Sequence, residues 1–129
     1  MRQSSVVKES ATIWIVDDDE DVRLALHNFL RSAGCGVRTF DGAKTFFAAL
    51  KDGAPDCLVT DLHMPGMDGV ALQEELNRLG RKFPVLVMTA FPTHEAEERS
   101  AALGASAFLA KPIDPEQLLD LIRASCKSR

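Results

Sequence analysis

Five short, mostly apolar runs, four of them containing β-branched residues and each followed by a helix-like stretch, constrain this chain more than any other feature. The first run is Thr12 to Val16. Val22, Ala25, Leu26, Phe29, Leu30 and Ala33 then recur at i, i+3, i+4, i+7 spacing, the pattern of an amphipathic helix. Gly34 is placed to close it. A more polar run, Gly36 to Phe40, comes next, and Asp41 is the candidate N-cap of a helix carrying Phe46, Phe47 and Leu50. Asp52-Gly53-Ala54-Pro55 reads as a turn, Cys57 to Thr60 as the third strand and Met64 to Met67 as a loop. Asp68 is the candidate cap of a third helix with Leu72, Leu76 and Leu79 on its inner face. Val85 to Met88 is the fourth strand, Glu95 to Gly104 the fourth helix, Ala107 to Leu109 the fifth strand and Asp114 to Ser125 the fifth helix.

Such alternation predicts a parallel sheet covered by helices on both faces. Strands three and four are nearly all apolar, as burial on both faces requires. The second strand carries Arg38 and Thr39 and is expected at an edge. The fourth helix opens on Glu95, Glu97, Glu98 and Arg99, and offers only Ala96, Ala101, Ala102 and Leu103 for burial. So small an apolar area anchors a helix weakly.

The strand ends carry the chemistry. Asp17-Asp18-Asp19 follows the first strand, Asp61 the third, Thr89-Ala90 the fourth and Lys111-Pro112 the fifth. In an open parallel sheet the carboxyl ends of the strands meet along one edge, where ligands bind. Crowded carboxylates repel unless a hard cation sits among them, and Mg²⁺ suits a few carboxylates plus phosphate oxygens. A lysine is a common point-charge partner for a phosphoryl group. Together these groups point to phosphoryl transfer onto an aspartate.

Composition excludes other classes. With 129 residues the chain holds one domain with a real core. Its net charge of −4 and scattered Lys and Arg argue against direct contact with nucleic acid. Cys35, Cys57 and Cys126 lack metal-ligand spacing, and their sparse, odd count suggests reduced thiols and a cytoplasmic location. Cys57, inside an apolar run, reads as a buried small hydrophobe. No signal peptide is visible, and no apolar run approaches the ~18 residues that spanning a membrane requires. Met1 to Ser10 is expected to be a disordered leader, residues 11–127 the domain, and nothing after the fifth helix resembles an output domain.

Four motifs, in order, resemble the receiver domain of two-component response regulators: Val16-Asp17-Asp18-Asp19; Asp61 followed by Met64-Pro65-Gly66-Met67-Asp68-Gly69; Met88-Thr89-Ala90; and Phe108-Leu109-Ala110-Lys111-Pro112. The resemblance covers residues 12 to about 125. It implies an α/β fold of the flavodoxin-like (βα)5 type, with strand order 2-1-3-4-5. It implies Asp61 as the phosphoacceptor, attacking a phosphohistidine on a histidine kinase or histidine phosphotransfer protein. Asp18, Asp61 and the backbone carbonyl of His63 would hold Mg²⁺, with Mn²⁺ as a substitute and Asp17 acting partly through water. Thr89 and Lys111 would each take a phosphoryl oxygen, and the Lys111-Pro112 bond is expected to be cis. Thr89 and Phe108 would be the switch residues. They would remodel the face of the fourth helix, fifth strand and fifth helix, a surface suited to a phosphorylation-dependent homodimer.

The sequence departs from the family pattern at Phe108, where Tyr is common and a hydroxyl is lost. His63 and Phe91 stand two residues after Asp61 and Thr89, positions that modulate water access in the family. Taken alone, Asp19 reads as a helix N-cap, and His27 and His94 as surface residues. Such a domain catalyses only its own phosphorylation and dephosphorylation and is not an enzyme acting on other substrates. The competing class is a haloacid-dehalogenase-type phosphatase, because Asp17-Asp18-Asp19 contains its Asp-x-Asp pattern. Asp21 stands where that family has Thr or Val, and the chain is short for its cap domain. A degenerate receiver serving only as a binding module is the third reading, and the intact acidic pair, acceptor and lysine argue against it.

Overall fold

The computed structural model describes residues 11–126, so the expected leader, Met1 to Ser10, lies outside the described residues. Five strands run β1 (Thr12–Val16), β2 (Gly36–Phe40), β3 (Cys57–Asp61), β4 (Val85–Thr89) and β5 (Ala107–Ala110). The helices between and after them are α1 (Glu20–Ser32), α2 (Ala43–Leu50), α3 (Gly69–Arg78), α4 (His94–Ala102) and α5 (Pro115–Cys126). All strand pairs are parallel, in the order β2-β1-β3-β4-β5. The expected order and the edge position of the polar β2 are both present.

Strand alternation divides the core in two, because successive side chains point to opposite faces. Trp14, Val16, Leu58, Val85 and Val87 pack with α2, α3 and the inner side of α4. Ile13, Ile15, Cys57, Val59, Leu86 and Met88 pack with Leu26 and Leu30 of α1 and Leu118, Leu119 and Ile122 of α5. Trp14 is nearly buried and meets the rings of Phe40 and Phe46 at 5.1 and 5.9 Å. No helix among the described residues is long and apolar enough to cross a membrane.

Local chemistry sets the helix ends. Asp19 caps α1, its carboxylate accepting from the N–H groups of Asp21 and Val22, and Asp68 caps α3 by accepting from Ala71. Gly34 stands just past the C-cap Ala33 with φ +96°, where the left-handed turn favours a residue without Cβ.

Three local expectations need correction. Gly42, not Asp41, precedes α2; the Asp41 carboxylate accepts from the Thr45 hydroxyl one turn on. Leu79 is the C-cap of α3 and is exposed, because the helix ends before a further turn could bring it to the sheet. Ala101 and Ala102 are exposed on α4, and only Ser100 is buried there, with Ala96 and Leu103 partly covered. The helix is anchored instead by polar ties from α3. Gln73 Nε2 donates to the Ser100 carbonyl at 3.1 Å, and Asn77 Nδ2 donates to the Leu103 carbonyl at 3.0 Å.

Candidate functional site

Sheet register builds the site. Val16 lies opposite Thr60, so Asp17 and Asp61 leave neighbouring strands side by side. Asp61 lies opposite Met88 and Thr89 opposite Ala110, which brings Thr89 and the following Lys111 to the same edge. Asp17, Asp18 and Asp61 each offer a carboxylate oxygen within 4.8 Å of the other two. Asp17 and Asp61 are buried, while Asp18 faces outward.

Lys111 closes the cluster. Its Nζ is 2.8 Å from Asp17 Oδ2 and 3.2 Å from Asp61 Oδ1. Asp17 is held at every polar point: Oδ1 accepts from the Asp19 N–H at 2.9 Å, the backbone carbonyl accepts from Arg23 Nη1 at 2.7 Å, and the N–H donates to Phe40. Because Asp19 spends its carboxylate on the cap of α1, the Asp-x-Asp phosphatase reading loses its second aspartate.

Three carboxylates face one ammonium, and the imbalance marks the titrating groups. Burial first, and then the Asp17 charge, push the Asp61 carboxyl above its ordinary value, with Lys111 working against them. For Lys111, burial pulls the ammonium downward, but the contacts with Asp17 and Asp61 outweigh it and hold the group above its ordinary value. A compact all-oxygen donor set with surplus negative charge fits a small hard divalent cation.

Around this cluster, Thr89 is fully buried and its hydroxyl accepts from the Phe91 N–H at 3.0 Å. Phe91 is 71% exposed, and its ring meets that of exposed His63 edge-on at 5.9 Å, joining the loops after β3 and β4. Phe108 is partly buried, opposite Val87, against the α2–α4 face of the core. The Lys111-Pro112 bond is cis. His94 lies on the surface of α4, paired with Glu98.

Sequence reasoning missed two contributors. Arg23 supports the Asp17 backbone from one turn into α1. Gly69 lets α3 begin against β3: a Cβ there would stand 2.7 Å from the Asp61 carbonyl oxygen and 2.9 Å from Leu62 Cα. The glycine beside a capping aspartate was visible, but the close approach depends on tertiary placement.

The fold and the edge cluster define a flavodoxin-like α/β domain with an acidic, lysine-closed site. Residues 13–123 match the response regulator receiver domain family. Over 110 residues the chain is 36% identical to the DNA-binding transcriptional regulator NtrC of Salmonella typhimurium, covering 85% of this chain and 24% of NtrC. It is 36% identical over 115 residues to the transcriptional regulatory protein FixJ of Bradyrhizobium diazoefficiens, covering 89% of this chain and 56% of FixJ. The crystal structure of FixJ-N superposes with a TM-score of 0.85 at 31% identity, covering 94% of this chain and 97% of that one. The chain belongs to the response regulator receiver domain family, whose members act in two-component signal transduction. It spans about a quarter of NtrC and about half of FixJ.

Proposed function

We propose that this domain accepts a phosphoryl group on Asp61 from a phosphohistidine on a partner histidine kinase or phosphotransfer protein, as a cytoplasmic element of a phosphorelay. The observation that carries this reading is the convergence of Asp17, Asp18, Asp61 and Lys111 at one sheet edge. Asp61 is the nucleophile: a carboxylate oxygen attacks phosphorus, and the histidine nitrogen of the partner leaves. Lys111 draws one phosphoryl oxygen and Thr89 donates its hydroxyl to another, so that positioning and electrostatics supply most of the rate. Asp18, Asp61 and the His63 carbonyl would hold Mg²⁺, with Asp17 assisting through water. A cation held there would offset the charge of the phosphoryl oxygens. The only chemistry assigned to this domain is its own phosphorylation and dephosphorylation.

An apolar groove of about 440 Å³, lined by Val22, Ala25 and Leu26 with Pro112, Ile113 and Pro115, adjoins Lys111 and gives a partner a surface beside the nucleophile.

Phosphorylation replaces the single charge of the Asp61 carboxylate with roughly two on the acyl phosphate and brings in phosphoryl oxygens that accept hydrogen bonds. Thr89 then exchanges its bond from the Phe91 N–H for the phosphoryl group, Phe108 moves inward, and the α4-β5-α5 face is remodelled. The lightly anchored α4 supports this route. That face carries Glu95, Glu97, Glu98 and Arg99 beside Glu116, Asp120 and Arg123. Such mixed charge favours a second copy or a specific protein over nucleic acid.

The test is intact mass after incubation with a small phosphodonor and Mg²⁺. One phosphate should be added, should require the cation, and should be absent from Asp61→Asn; equal labelling of that variant overturns the reading.

A further inference from the structure

At the opposite end of the sheet, where the strands begin, all three cysteines gather. Cys57 is the first residue of β3 and is fully buried; Cys126 is the last of α5; Cys35 precedes β2. Cys35 and Cys126 are partly buried and pack on the same half of the core as Cys57. Cys126 Sγ lies 3.7 Å from the carbonyl oxygen of Asp56, the residue next to Cys57, and both cysteines belong to the same half of the core. Nothing in the proposed phosphoryl chemistry uses these groups.

We propose that Cys57 and Cys126 are a redox-modification site that closes to an intramolecular disulfide when the protein meets a hydroperoxide. A metal is the weaker occupant: among the described residues, no group of three or more side chains suited to hold one includes a cysteine.

The two thiols have different parts. The neighbouring Cys126, and then burial, push the Cys57 thiol above its ordinary range. Cys126 is only partly buried, at the last turn of α5, so it is the member of the pair that peroxide can reach. A reachable cysteine beside a second, resolving thiol is the arrangement that redox-sensing cysteines use. Cys126 sulfur attacks a peroxide oxygen; the S–O bond forms, the O–O bond breaks, and the departing oxygen leaves as water or alcohol. Sulfur is oxidised to the sulfenic acid and the peroxide is reduced. Cys57 sulfur then attacks Cys126 sulfur, the S–S bond forms, and the sulfenic oxygen leaves as water with the Cys57 proton. The bond ties the last turn of α5 to the start of β3, and a thiol reductant reverses it.

The test is treatment of the purified chain with hydrogen peroxide, followed by thiol counting, intact mass and peptide mapping. Three thiols should fall to one with the loss of two hydrogens, the bond should map to Cys57 and Cys126, and dithiothreitol should restore all three. Cys35→Ser should still form the bond. Cys126→Ser, altered at a partly exposed helix end, should lose it. Cys57→Ser should leave a sulfenic acid on Cys126 that a cyclic diketone traps. A thiol count unchanged by peroxide, or a bond that maps to Cys35, overturns the proposal, and Cys126→Ser decides it even if Cys57→Ser does not fold.

Discussion

Asp61 sits where its own charge is disfavoured, and that has a measurable cost. Its carboxyl is raised in the folded state, so folding favours the protonated form. The resulting destabilisation is absent at pH values below the ordinary 3.8 and develops as pH rises through and above it. Asp61→Asn should therefore stabilise the cation-free protein at neutral pH by about 0.5–2 kcal/mol. The gain should shrink toward pH 4, as read by thermal unfolding at a series of pH values. Lys111 has the opposite sign. Its ammonium is raised above its ordinary value, so its contribution is fully present below 10.5 and is lost as pH climbs through the folded value. Lys111→Met leaves Asp17 and Asp61 buried without their counter-charge and should cost about 3 kcal/mol in denaturant unfolding near pH 7. Mg²⁺ should offset part of that loss. At Gly69 the expected cost is steric: Gly69→Ala should lose about 1–3 kcal/mol. The methyl group must push either α3 or the Asp61 carbonyl aside, so phosphorylation should fall with stability in the same variant. Normal labelling by a destabilised Gly69→Ala would separate the two.

At the scale of elements, α4 buries the fewest residues of any helix in the described fold. It buries one residue, Ser100, and its ties to α3 are the Gln73 and Asn77 amides. Gln73 is almost fully buried, and its removal takes away a bond of about 1 kcal/mol. Amide exchange in residues 94–104 should be the fastest of any helix, and Gln73→Ala should raise it about fivefold or more, leaving α1 and α5 unchanged; a uniform rise across all helices would mean that Gln73 serves the core as a whole. That helix also marks the limit of what periodicity reveals. Strands were legible because parallel, doubly covered strands must be apolar along their whole length, and Asp19, Asp68 and Gly34 because capping chemistry is local. The polar anchoring of α4 was not legible, since Gln73 and Ser100 lie far apart in sequence and neither carries an apolar signal. Leu79 misled for a related reason: heptad-like spacing continues past the residue at which the helix stops.

For the molecule as a whole, the doubly wound sheet sends strand-end residues to one edge and strand-start residues to the other. The first edge gathers Asp17, Asp18, Asp61, Thr89 and Lys111; the second gathers the three cysteines. Membership of the first cluster was readable from four motifs at strand ends, because strand order 2-1-3-4-5 leaves β1 and β3 adjacent. What the sequence withheld was the support: Arg23 on the Asp17 carbonyl, Gly69 under Asp61, and the Phe91 N–H on the Thr89 hydroxyl, all fixed by tertiary placement. The central claim is that Asp61 is the residue that takes the phosphoryl group, and chemical mapping tests it most directly. Borohydride reduces an aspartyl phosphate to homoserine, so protein treated with a phosphodonor and Mg²⁺, reduced and digested should carry homoserine at position 61 and at no other aspartate. Homoserine at Asp17 or Asp18, or phosphate resting on a histidine or a hydroxyl with position 61 intact, would contradict it.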